Sequence, residues 1–174
     1  MTSTATLEPV LKMDRDIKRA AATLGRSEAR FLVDTYYMTQ EDRKRSANQV
    51  RALGESEEPH ETLVFFTQQF ETTEKEIAKA LDAFSAADPL GQWARSIIGI
   101  GPVIAAGLLA HIDIERAQTA GAIWRFAGLD PTSVWGKGQK RPYNAALKVL
   151  CWKIGDSFVK VSGNENSLYG KIYK

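Results

Sequence analysis

The sequence has one cysteine, Cys151, and two histidines, His60 and His111, in 174 residues. A single thiol forms no disulfide within a chain, and together with two widely separated histidines it makes no recognisable metal-ligand spacing. Cys151, inside Leu147-Lys-Val-Leu-Cys-Trp-Lys-Ile, therefore reads as a small core residue, the histidines read as structural or surface groups, and neither a metal nor a cofactor is expected. Long hydrophobic runs are also missing. The best candidate, around Ile97 to Ile112, is broken by three glycines and a proline, well short of the roughly 20 apolar residues that cross a bilayer. The opening Met1-Thr-Ser-Thr-Ala-Thr-Leu-Glu-Pro has neither the basic start nor the apolar core of a signal peptide, so a cytoplasmic protein without a membrane partner is expected. Nucleotide-binding Gly-x-Gly-x-x-Gly and Walker patterns are absent, as is the alternation of a half-buried strand.

The chain does have the balance of a soluble globular protein, with 44% hydrophobic and 25% charged residues. Its formal charge of +2 conceals an asymmetry. Residues 132–174 carry Lys137, Lys140, Arg141, Lys148, Lys153, Lys160, Lys171 and Lys174 against only Asp156 and Glu165, a charge of +6 that leaves −4 for residues 1–131. A basic third on a mildly acidic remainder suggests one surface that faces a polyanion.

Apolar periodicity predicts an all-α fold: a long antiparallel helical hairpin followed by a compact helical domain. Residues 1–26 read as a flexible N-terminal segment. From Ser27, the positions Phe31, Leu32, Thr35, Tyr36 and Met38, then Ala47, Val50 and Leu53, describe one helix ending near Gly54. After the turn Glu55-Ser-Glu-Glu-Pro-His, a second helix runs to about Ala86 with Leu63, Phe66, Phe70, Ile77, Leu81 and Phe84 on one side. Residues 27–88 thus form a coiled-coil-like hairpin suited to homo-oligomerisation. In it Arg43, Lys44, Arg45 and Arg51 sit among Glu41, Asp42 and Glu55, the mixture of a solvated face.

Within residues 89–174, the stretch Ser96-Ile-Ile-Gly-Ile-Gly-Pro-Val-Ile-Ala-Ala outlines two short helices joined at glycines, a helix-hairpin-helix pattern. Gly99 and Gly101 can take left-handed or strained angles and hold no ligand off, so the backbone at Gly99, Ile100, Gly101 and Val103 can meet a phosphate. Pro102 suits the first position of the second helix, whose free amides favour an anion. Trp93, Ile97 and Ile98 before the turn, and Val103, Ile104, Leu108 and Leu109 after it, give each helix an apolar face for the other. No Lys or Arg lies between Val103 and Ala110, so cations must come from elsewhere in the fold.

A further short helix, Ala120 to Phe126, leads to Gly128-Leu-Asp-Pro and to the basic loop Val134-Trp-Gly-Lys-Gly-Gln-Lys-Arg-Pro-Tyr. Here Trp135 and Tyr143 interleave with Lys137, Lys140 and Arg141, a combination that stacks bases and neutralises phosphates. A last strong helix begins at Asn144 and carries Lys148, with Leu147, Leu150, Ile154, Phe158 and Val161 as its inner positions. The closing Leu168-Tyr-Gly-Lys-Ile-Tyr-Lys reads as another helical start, and a longer natural protein is expected.

The order Ile98-Gly-Ile-Gly-Pro, Ala105-Ala-x-Leu-Leu-Ala-x-Ile, Phe126-Ala-Gly-Leu-Asp-Pro, a Gly/Lys/Arg loop and Asn144-Ala-Ala-Leu-Lys resembles the C-terminal domain of one bacterial transposase family, over roughly residues 93–169. These insertion-sequence recombinases pair an N-terminal ribonuclease-H-like domain with a serine-bearing C-terminal domain and use a bridging RNA. The resemblance implies a nucleophilic serine shortly after the Ala-Gly-Leu-x-Pro motif, but Gly136 stands at that place, with Ser133 nearby and out of register. The region before Trp93 is too short and too helical for the acidic domain, although the hairpin looks like the coiled-coil segment that precedes the family's C-terminal domain.

Three readings follow. The first is a non-catalytic DNA-binding protein, associated with a phage or mobile element, that holds duplex or junction DNA by its backbone largely without sequence specificity. The second is an active recombinase component that uses Ser133 or a partner's residues. The third is an oligomerising interaction module.

Overall fold

The computed structural model describes residues 12–55 and 58–173; of the expected flexible segment at residues 1–26, residues 1–11 lie outside the described residues, and the rest includes a short helix and a 3₁₀ turn. Among the described residues the chain is helical throughout and contains no strand. The helices are α1 (Arg15–Ala20), α2 (Arg26–Gly54), α3 (Glu61–Ala87), α4 (Pro89–Arg95), α5 (Pro102–His111), α6 (Ala120–Phe126) and α7 (Ala145–Lys160). Short 3₁₀ turns at Ala21–Thr23 and Gly170–Tyr173 complete them.

Local chemistry explains where most of the helices start. The Glu28 carboxylate accepts from the Gly25 amide at the head of α2, and the His60 ring nitrogen accepts from Thr62 at the head of α3. Asp88, Thr119 and Asn144 do the same for α4, α6 and α7. The two long helices, of 29 and 27 residues, each extend about 40 Å at 1.5 Å per residue. Val33 meets Leu81 and Gln40 meets Glu74, while residues 45–49 lie beside residues 63–67, so α3 runs back along α2.

The base of this pair is gripped by α5. That helix is apolar on every side, the pattern of a helix with no solvent face. Ala106 joins Val33 and Leu81 in one cluster, and Ala105 joins Ala94 and Ile100 in a second. Ile104 and Leu108 reach a third cluster of Ala127, Leu147 and Leu150 under α7. Gly107 lets α7 come close, because a Cβ there would lie 2.8 Å from Leu150 Cδ2. At the far end of α5, Arg30 of α2 donates to the Ala110 carbonyl at 2.8 Å, and Arg26 pairs with Asp113 at 3.3 Å.

Three expectations about inner faces need correction. Phe31 and Met38 are exposed, and the buried line of α2 is Ala29 and Val33 flanked by Leu32, Tyr36 and Tyr37, because α5 approaches α2 from that side. Leu63 and Phe66 are exposed as well, since α5 reaches only the Ile77, Leu81 and Phe84 end of α3. Trp93 points outward, and the small Ala94 faces α5 in its place.

Arg43, read as solvated, pairs instead with the buried Glu74, which also accepts from Gln40 at 3.0 Å. Burial pushes the Glu74 carboxyl up, yet the hydrogen bonds from Arg43 and Gln40 outweigh it and hold the group below its ordinary value. The final residues form the short turn Gly170–Tyr173, which folds back on α7, with Tyr169 stacked on Phe158 at 4.9 Å.

The tightest junction is α3 to α4, where a Cβ on Gly91 would sit 2.1 Å from the Ser85 carbonyl oxygen. Gly91→Ala is expected to destabilise the protein by about 3 kcal/mol, because backbone must move to admit the methyl group. Urea denaturation measures this.

Candidate nucleic-acid interface

Between α4 and α5 the chain turns through residues 96–101. Gly99 has φ +106°, and a Cβ on it would lie 2.7 Å from the Phe158 ring. Both conformation and space therefore demand glycine there. Gly101 differs: its φ is −83°, and nothing lies within 4 Å of an added Cβ, so its bareness leaves the approach to the backbone open without relieving strain. Ile100 is buried, and its amide donates to the Ile97 carbonyl at 2.9 Å. The turn is latched from α7, where the Ser157 hydroxyl donates to the Gly99 carbonyl at 2.6 Å.

Gly101 caps α5 with no side chain, so no side-chain acceptor satisfies the first amides of that helix, those of Val103 and Ile104. The Val103 side chain itself packs into the core beside Ala106. These amides border a groove of about 530 Å³ lined by Tyr36, Tyr37, Lys44, Trp152, Lys153 and Lys160, and also by Glu41 and Asp156. Lys44 pairs with Glu41 at 3.0 Å and Lys160 with Asp156 at 2.6 Å. Lys44, with a smaller contribution from Lys153, holds the Glu41 carboxyl below its ordinary value. Lys153 has no carboxylate partner among the described residues, and its ammonium lies 3.9 Å from the Tyr37 ring centroid. The missing cations of the glycine turn thus come from α2 and α7. Sequence reasoning passed over Lys44, Trp152, Lys153 and Ser157 as site residues. The inner positions Leu147, Leu150, Ile154 and Phe158 already implied an outer face at 148, 152, 153 and 156.

The basic loop forms a second cluster at the other end of α7. Tyr143 is wedged against Gly128, whose φ is +68°, and the Lys148 ammonium lies 4.9 Å from its ring centroid. Trp135 donates to the Gln139 carbonyl at 2.8 Å and carries the Arg141 guanidinium at 5.5 Å. Lys137, Lys140 and Arg141 are exposed and, like Lys148, have no carboxylate partner among the described residues. The two clusters stay apart. Lys148 and Ser157 are nine residues distant on α7, about 14 Å along its axis.

Ser133 is exposed on the turn after Asp130, and its hydroxyl bonds to no described residue. The neighbouring Asp130 is held by Thr132 and Arg125. No group of three or more His, Cys, Asp or Glu residues is placed to hold a metal among the described residues. No described helix is long and apolar enough to cross a membrane.

His111, at the end of α5, lies with its Nδ1 3.2 Å from the side-chain nitrogen of Asn144, the cap of α7. Burial, helped by Arg30 and opposed by Asp34, pushes its pKa below the ordinary value.

Against this geometry, residues 91–147 match the family model described as Transposase IS116/IS110/IS902 family. The match runs from within α4 through the glycine turn, α5, α6 and the basic loop to the first residues of α7, and over this segment the chain is similar to that transposase family. No curated protein and no solved structure matches the chain.

Gly99→Ala is expected to cost about 2 kcal/mol through positive φ and the Phe158 clash, whereas Ser157→Ala costs about 1 kcal/mol and speeds hydrogen exchange at the Ile100 amide. For His111, the folded state prefers the neutral ring while the unfolded chain takes a proton at the ordinary value. Stability is therefore indifferent to this group well above pH 6.5 and falls as the pH drops below it. An NMR titration should place the His111 midpoint below 6.5, and a midpoint above it would contradict the burial argument.

Proposed function

We propose that this is a transposase-related DNA-binding protein of phage or mobile-element type, holding the phosphate backbone largely without reading bases. The observation that carries the reading is the contrast in how its cations are used. In the hairpin, Arg43, Lys44, Arg45, Lys75 and Lys79 each pair with a carboxylate. In the C-terminal third, Lys137, Lys140, Arg141, Lys148 and Lys153 pair with none among the described residues. Unneutralised cations beside aromatic rings and uncapped amides suit a polyanion. The similarity of residues 91–147 to a transposase family makes DNA the natural polyanion.

A second reading, homo-oligomerisation through the hairpin, draws on the exposed Leu63 and Phe66. With Arg45, Ser46, Gln49 and Thr67 these line a groove of about 390 Å³ away from α5. The two readings are compatible, because hairpin and loop lie on different parts of the chain.

Fluorescence anisotropy with labelled duplex, single-stranded and four-way-junction DNA across a salt series tests the proposal. Binding should weaken steeply with salt. Lys140→Ala combined with Arg141→Ala should flatten the log–log slope by about 2, since each lost phosphate contact removes about 0.9. Absence of binding even at low salt would overturn it and turn attention to the hairpin surface. Ser133→Ala should leave the affinity where it was.

A further inference from the structure

Tryptophan is usually well covered in a folded chain, yet all four tryptophans here are exposed: Trp93 at 65%, Trp124 at 58%, Trp135 at 43% and Trp152 at 70%. They differ in what surrounds them. Trp135 is already engaged by Arg141 and by the Gln139 carbonyl. Trp124 lies in a hollow with Phe126, Pro131 and Pro142, beside the ion pair of Arg125 and Asp130. Trp93 stands on α4 and lines neither groove beside α7.

Trp152 is the wall shared by two grooves. On one side is the groove of about 530 Å³ with Lys153 and the head of α5, and on the other a groove of about 580 Å³ with Lys148, Leu129 and Tyr173; Asp156 lines both and Glu41 the first, and these carboxylates are paired with Lys160 and Lys44. Its indole makes no hydrogen bond or ring contact with a described residue, and the lysines on either side both lack carboxylate partners. The flanking lysines argue against a protein partner in this setting, because the centres of protein interfaces are depleted in lysine. A nucleic acid fits it: a flat aromatic face takes a base while the flanking ammonium groups take the phosphates on either side. Bases within an intact duplex are stacked on one another and offer no free face, so the base must be unpaired or splayed.

We propose that Trp152 is a stacking platform for an unpaired nucleobase, with Lys148 and Lys153 holding the adjacent phosphates. This rests on the DNA-binding reading and specifies it: the preferred form of DNA contains single-stranded character, as at a junction, a flap or an opened end.

The test combines two measurements on the full chain. The first is the affinity for oligothymidylate and for a closed-ended duplex, in the native protein, Trp152→Ala and Trp152→Phe. The ratio of single-strand to duplex affinity should fall about tenfold in Trp152→Ala and largely recover in Trp152→Phe, as expected for loss and return of one stacked base. The second is ¹⁹F NMR of protein labelled with 5-fluorotryptophan, in which the Trp152 resonance should move on addition of oligothymidylate. This readout remains decisive if the alanine variant fails to fold. If oligothymidylate binds but neither the ratio nor the resonance changes, the stacking site is wrong while DNA binding stands. If no DNA binds in any form, both fall together. If Trp152→Ala lowers the sedimentation mass without altering the ratio, the indole belongs to a contact between copies and the proposal is overturned.

Discussion

The close packing of α5 is the constraint on which the other elements depend. Ala105, Ala106, Gly107 and Ala110 are all buried, and their small size lets α2, α3, α4 and α7 approach one helix together. Leucine at any of these sites would push a neighbour out by more than a methyl group, and interiors packed at crystal-like density do not yield that much. The Arg30 guanidinium satisfies a carbonyl at the C-terminal end of α5. At its N-terminal end no side chain does the corresponding job for the amides. A helix held from every side thus presents unsatisfied donors at a fixed place, and α7 fixes the turn before it through Ser157 and Phe158.

Charge is distributed along the same division. Within the hairpin Arg43, Lys44, Arg45, Lys75 and Lys79 are neutralised by its own carboxylates, and in the Arg43–Glu74–Gln40 cluster that neutralisation also sets the register of two long helices. Lys137, Lys140, Arg141, Lys148 and Lys153 in the basic third stay unpaired, and three aromatic rings lie next to cations: Tyr37 under Lys153, Tyr143 under Lys148, Trp135 under Arg141. The rings hold the ammonium and guanidinium groups in place without cancelling their charge. Under the proposed reading, the unpaired charge would draw phosphate at long range and the rings would hold the cations where they meet it.

Much of the helical architecture was legible in the sequence. The ends of α2, α3, α6 and α7 are marked in the sequence to within a residue or two, because capping and helix-stopping residues act locally. Which face of α2 turns inward was less legible. Phe31 and Met38 outweigh Ala29 and Val33 in hydrophobicity, but a small α5 approaching closely selects the smaller residues. Gly99 was legible as a glycine turn, whereas its latch Ser157 lies 58 residues away and only the tertiary fold reveals it. The loop residues Trp135, Lys137, Lys140, Arg141 and Tyr143 announced themselves through composition. Lys153 and Trp152 did not, because their place beside the glycine turn depends on how α7 crosses α5.

The central claim is that one protein surface, running from the head of α5 along α7 to the basic loop, receives nucleic acid. The most direct measurement is an ¹⁵N chemical-shift map recorded while an oligonucleotide is added. The account predicts shifts at Gly101, Val103 and Ile104, at Lys148 to Lys153, and at Trp135 to Arg141, with the hairpin residues 45–67 unmoved. Shifts confined to the hairpin, or scattered without reference to α5 and α7, would contradict it.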